Sequence, residues 1–188
     1  MSVADVFRRI TLALEQAGIR YMLTGSFASA HFGAPRSTQD IDFVIEASPA
    51  QLRAFVSALP SNDYYVDPDA ALEAQQRRSM FNVIDLASGW KIDFIIRKSR
   101  TFSQGEFRRR REVTLHGISL FMTTAEDAVI SKLEWAKLGE SQRQIEDVAA
   151  ILRTRWQELD RAYLEKWNAE LNLEREWQQA RSLANISG

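Results

Sequence analysis

The sequence predicts an α/β (α+β) fold: a small mixed β-sheet flanked by helices, followed by a C-terminal helical bundle. Three observations predict it. Residues 21–46 read as strand, Gly-Ser turn, short helix, Pro-marked loop and second strand. Residues 80–97 read as a hairpin turning at Ser88-Gly89. From residue 125 to about 185 the chain keeps helical periodicity.

The elements follow in order. Residues 3–17 carry the apolar positions Val6, Phe7, Ile10, Leu12, Leu14 and Ala17 mixed with charge, an amphipathic helix, and Gly18 stands where a helix-ending glycine belongs. After the 21–46 stretch, Ser48-Pro49 opens a helix over 49–58, with serine as N-cap and proline in the first turn. Tyr64 to Val66 reads as a short strand, and Asp67-Pro68-Asp69 starts a helix to about Arg77. Residues 98–111 read as a polar, arginine-rich connection. Val113–Leu115 and Ile118–Met122 pair around His116-Gly117. Thr123-Thr124 then caps the first of four helices, expected over 125–138, 142–154, 157–169 and 171–185. The expected division is 1–122 as core and 123–188 as a helical region packed on it.

Composition narrows the function classes. The 188 residues are 45% hydrophobic, enough for a sizeable core. With 24 Lys+Arg against 25 Asp+Glu, the chain lacks the excess of a nucleic-acid coat protein, though a local basic groove stays open. There is no cysteine, so disulfides and thiolate metal sites are out. The N-terminus has no signal-peptide core, and no apolar run approaches the roughly 18 residues of a membrane span. The expectation is a cytoplasmic protein with no membrane partner.

Asp40 and Asp42 are the first chemical signal. Residues i and i+2 of a strand share a face, so both carboxylates point one way while Ile41, Phe43 and Ile45 point the other. Aspartate is disfavoured in strands, and two parallel carboxylates repel unless a divalent cation joins them. Gly25-Ser26 is the second signal. Glycine at a strand-to-helix turn lets backbone approach a ligand, and the helix start offers N–H groups to phosphate. The bland alternatives are surface acids on an edge strand and an ordinary turn.

Gly25-Ser26, a spacer, and Asp40-Ile41-Asp42 between apolar residues resemble the signature of the DNA polymerase β-like nucleotidyltransferase superfamily. The run Gly33-Ala34-Pro35-Arg36-Ser37-Thr38-Gln39-Asp40-Ile41-Asp42 is similar to AbiEii-type toxins and related bacterial nucleotidyltransferase-like families. The resemblance is sharp here and fainter beyond Lys132. It implies a nucleotidyltransferase core that uses Mg²⁺ or Mn²⁺ to move a nucleoside monophosphate from a nucleoside triphosphate to a hydroxyl. The acceptor would be RNA such as a tRNA 3′ end, a protein or a small molecule. A cognate antitoxin would be the partner of a toxin. Asp40 and Asp42 would bind metal, and Gly25 and Ser26 would hold phosphates. The third carboxylate that the resemblance implies is Asp93, whose Ile-Asp-Phe flanks repeat those of Asp42, with Asp85 as runner-up. The bland reading of Asp93 is a salt bridge to Lys91.

The resemblance also implies nucleotide-binding roles for Lys132 and for Asp147, within Arg143-Gln144-Ile145-Glu146-Asp147. Gln144 departs from that pattern, since an acid is common there. Arg36 either steers the triphosphate or neutralises nearby acids. The Arg108–Arg111 run reads as a solvated face or a phosphate contact. His31 and His116 read as structural, and Trp135, Trp156, Trp167 and Trp177 as packing between helices. A non-catalytic nucleotide-binding or antitoxin-like module, and an oligomerisation domain, are the competing classes.

Overall fold

The structure, a computed structural model, describes residues 2–186. The chain divides into two compact units. One takes the chain up to Thr24 together with Thr38–Met122; the other takes Gly25–Ser37 together with the chain from Thr123 onward.

The first unit is built on a seven-stranded mixed sheet. Its elements are α1 (Val3–Gln16), β1 (Arg20–Thr24), β2 (Asp40–Glu46), α3 (Pro49–Ala58), β3 (Tyr64–Val66), α4 (Pro68–Arg77), β4 (Met80–Asp85), β5 (Lys91–Ile96), α5 (Thr101–Arg109), β6 (Arg111–Leu115) and β7 (Ile118–Met122), while α2 (Gly25–His31) belongs to the other unit. The strand order is β3-β4-β5-β2-β1-β7-β6. β2 runs parallel to β5 and antiparallel to β1, so it lies inside the sheet. Local chemistry fixes the helix starts. Ser2 and Asp5 form a reciprocal capping box on α1, Ser48 and Gln51 do the same on α3, and Asp67 caps α4.

Alternation along β2 and β5 sets the core. Ile41, Phe43, Ile45, Ile92 and Phe94 are buried on one face with Phe7, Phe55 and Leu52 from the helices. The Phe94 ring stacks on Phe43 at 6.0 Å and Phe81 at 5.1 Å, and meets Phe55 edge-on at 5.1 Å. Each such ring removes roughly 150–250 Å² from water. On the other face Met22, Val44 and Ile95 pack against Phe107.

Phe107 belongs to α5, a helix that lies inside the stretch read from sequence as a polar connection. Phe102, Ser103, Glu106 and Phe107 form its buried stripe. Two of those four are polar, so the apolar period was thin. The arginine run that closes it, Arg108–Arg111, is not a simple solvated face. The Arg110 guanidinium lies over the Phe107 ring at 4.5 Å and the Phe121 ring at 5.1 Å.

The second unit comprises α2 (Gly25–His31), α6 (Ala125–Gly139), α7 (Gln142–Arg155), α8 (Arg161–Glu170) and α9 (Glu174–Leu183). α2 packs against α6 and α7. α8 starts later than the sequence suggested, because Asp160 caps it at Tyr163 N. Gly33 follows α2 at φ +114°, and a Cβ there would fall inside van der Waals contact of Thr154. Trp167 and Trp177 are buried as inter-helix packing residues. Trp156 is half-buried, its ring 6.3 Å from Trp177 and flanked by Arg161 and Arg181. Trp135 corrects the packing expectation: it is 55% exposed, because its position on α6 falls off the Val129–Leu133–Ala136 stripe.

Candidate active site

Parallel pairing of β2 with β5 brings the sheet acids together. Asp42 pairs in register with Asp93, and Asp40 with Lys91. Neighbouring strands lie about 4.8 Å apart, so Asp42 and Asp93 are adjacent across the ladder. The i, i+2 rule puts Asp40 on the same face. Asp40 is exposed, Asp42 half-buried and Asp93 buried.

Lys91 sits among these acids. Its Nζ is 2.6 Å from Asp93 Oδ2 and 3.9 Å from Asp40 Oδ1. The hydrogen bond to Asp93 raises the Lys91 pKa most; burial opposes it, and the charges of Asp93, Asp40 and Asp42 add to the rise. One cation therefore feels all three carboxylates. Asp93 Oδ1 is buried and has no hydrogen-bond partner. A buried carboxylate oxygen left so is costly, and a cation is the natural partner. The donor set is hard oxygen, which suits Mg²⁺ or Mn²⁺. Among the described residues, no three acidic or histidine side chains yet close into an ion cage. Lys91 occupies the ground where they would meet.

Asp85, the alternative third acid, does something else. It is fully buried, paired with Arg9, and accepts from Ser88 N at 3.0 Å and Ser88 Oγ at 2.8 Å. Asn82, not Asp85, stands opposite Asp93. Asp85 thus closes the β4–β5 turn.

The remaining residues singled out in the sequence gather within the second unit. Gly25 opens α2 at φ +66°, and its carbonyl accepts the Ser29 hydroxyl at 2.9 Å. Ser26 is buried and accepts a hydrogen bond from Arg36 Nη2. Arg36 Nε reaches Asp147 Oδ2 at 3.2 Å, and Lys132 Nζ reaches the same oxygen at 2.7 Å. Lys132 and Asp147 are both buried. Gln144 accepts from Lys132 Nζ at 2.9 Å, so the residue that departs from the resembled pattern still touches the lysine. Arg36 therefore pairs with Asp147, an acid 111 positions away, a link no local spacing signals.

No protein-family model matches the chain, and no curated protein matches it in sequence. Solved structures do resemble it. The antibiotic-resistance factor ANT(2'')-Ia in solution matches with a TM-score of 0.60 at 14% identity, over 97% of this chain and 98% of that one. Its crystal structure in complex with adenylyl-2''-tobramycin matches with 0.60 at 11% identity, over 91% and 99%. An antigenic nucleotidyltransferase-like protein from Paracoccidioides brasiliensis matches with 0.53 at 14% identity, over 95% and 90%. At these identities the likeness is one of architecture, and the chain has the nucleotidyltransferase fold.

Proposed function

We propose that the protein is a metal-dependent nucleotidyltransferase of the AbiEii-like kind. It would transfer a nucleoside monophosphate from a nucleoside triphosphate to a hydroxyl acceptor, with residues 1–122 as catalytic core and 123–188 as its helical region. The observation that carries the reading is the in-register pair Asp42–Asp93 beside Asp40, with one Asp93 oxygen buried and unpartnered. The shared fold with nucleotidyltransferases supports it.

In this reading Asp40, Asp42 and Asp93 would hold Mg²⁺ or Mn²⁺. A bound ion would supply charge neutralisation at the phosphates and Lewis-acid polarisation of the α-phosphate. Gly25 and Ser26 bind the β- and γ-phosphates, and Arg36, Lys132 and Asp147 complete the nucleotide contacts. The acceptor oxygen forms a bond to the α-phosphorus as the bond to the bridging oxygen breaks. Pyrophosphate leaves, and Asp93 either completes the metal site, the acceptor's proton passing to water, or draws that proton itself. Lys91 shields the acids from each other in the resting protein. The acceptor would be an RNA such as a tRNA 3′ end, a protein or a small molecule, and a cognate antitoxin would be the partner if the protein is a toxin.

The test is incubation with each α-labelled nucleoside triphosphate, Mg²⁺ or Mn²⁺, and, separately, total RNA and a whole lysate containing proteins and small molecules. Labelled RNA that disappears in Asp42→Asn and with chelator supports the reading. No labelled acceptor of any kind, RNA, protein or small molecule, with triphosphate binding intact, would overturn it. One observation favours that second outcome, a non-catalytic nucleotide-binding or antitoxin-like module: Lys91 already neutralises the acids where a cation would sit.

A further inference from the structure

The far end of the same strands carries the opposite charge. β2 begins at Asp40 and ends at Glu46, a span of roughly 20 Å at 3.3 Å per residue. Around Glu46 lies a cleft of about 360 Å³ lined by Arg20, Arg78 and Arg97, with Glu46 its one acid. Arg20 Nη2 and Arg97 Nη2 each reach Glu46 at 2.5 Å, on different oxygens. Arg78 donates to the Arg97 carbonyl at 3.0 Å and, among the described residues, holds no carboxylate. Two guanidinium groups thus share one carboxylate, and the third adds a positive charge that, among the described residues, no carboxylate offsets.

A fourth arginine adds to the excess. The Arg110 pKa is lowered, first by burial and then by the positive charge of Arg20, with Glu46 opposing. Its Nε is buried with no hydrogen-bond partner. Like charges held this close destabilise the fold unless an anion joins them. Arginine's planar fork matches phosphate oxygens two at a time. The cleft is concave and polar, with Ser48 and Gln51 at the start of α3 on its rim. Nothing in the acidic site requires these residues.

We propose that the Arg20–Arg78–Arg97 cleft is a second phosphate-binding site, independent of the acidic edge of the sheet, which takes a phosphate group from a small phosphorylated ligand or a nucleic-acid backbone. Glu46 holds the forks in place when the site is empty and competes with the incoming anion.

The experiment is calorimetric titration of the full chain with tripolyphosphate and, separately, with a short single-stranded RNA, without divalent metal. Arg20→Gln/Arg78→Gln removes two cations whose side chains contribute little to the core, and should weaken binding by about tenfold or more. Glu46→Gln removes the competitor and should tighten binding several-fold. That gain cannot come from a damaged fold, and it separates this cleft from any triphosphate site at Ser26 and Lys132. Tighter binding of tripolyphosphate identifies a small phosphorylated ligand, and tighter binding of RNA a nucleic-acid backbone, each with the same dependence on the variants. Absence of binding by both probes, or affinities that neither variant changes, overturns the proposal.

Discussion

Removing Asp147 should cost the protein far more than removing the lysine it holds. Asp147 Oδ2 receives Lys132 Nζ at 2.7 Å and Arg36 Nε at 3.2 Å. The side chains of Lys132 and Asp147 are 7% and 8% exposed, so water screens their pair poorly. Asp147→Asn deprives two cations of one carboxylate. Breaking a buried pair from one side costs about 3–5 kcal/mol, and the second cation places this variant at the upper end. Lys132→Met is different. It deletes the more deeply buried charge, keeps an apolar stem, and leaves Asp147 with Arg36. The expected cost is about 1–2 kcal/mol. Urea unfolding of the two variants and of the double variant gives both values and their coupling. Equal losses, or a larger loss for Lys132→Met, would refute the assignment of Asp147 as the shared anchor of both cations.

Other expectations follow from the same structure. Asp42→Asn should lower metal-dependent transfer by roughly a thousandfold or more while leaving the urea midpoint nearly unchanged, read by labelled-nucleotide incorporation. Phe94→Ala should cost about 3–5 kcal/mol in urea, since it empties the space among three aromatic rings. Gly33→Ala should cost roughly 2–4 kcal/mol by the same assay, from its positive φ together with the clash against Thr154. The Tyr21 phenol titrates above its ordinary value of 10.0, chiefly through burial, then through the charge of Glu15 and the hydrogen bond to it. Above pH 10 the unfolded chain therefore loses this proton first, and stability falls as pH rises. Tyr21→Phe should flatten that decline between pH 10 and 11 in urea titrations; an unchanged slope would count against it.

What could be read in the sequence was what is local. The alternation Asp40-Ile41-Asp42-Phe43 and its echo Ile92-Asp93-Phe94 declared two strands and their polar faces. Serine followed by proline at 48–49 declared a helix start, and the structure has it there. α5 escaped because its buried stripe mixes Phe102 and Phe107 with Ser103 and Glu106. Trp135 was misplaced because composition says a tryptophan is large, while only helix phase says where it points. The Asp42–Asp93 register and the Arg36–Asp147 pair depend on chain segments far apart in sequence, and no spacing rule reaches that distance. Lys91 was visible as a neighbour of Asp93 two positions away, but its reach to Asp40 needed the parallel pairing of β2 with β5.

The excursion of Gly25–Ser37 into the company of the C-terminal helices has a consequence for how the chain comes to be made. A ribosome delivers α2 about a hundred residues before its partners α6 and α7. At roughly 5–20 residues per second, α2 waits on the order of 5–20 s before its neighbours exist. The second unit therefore cannot be completed until α6 and α7 have been made. Truncation after Met122 would strip α2 of its packing partners, and a fragment starting at Thr123 would lack a helix that its own fold requires.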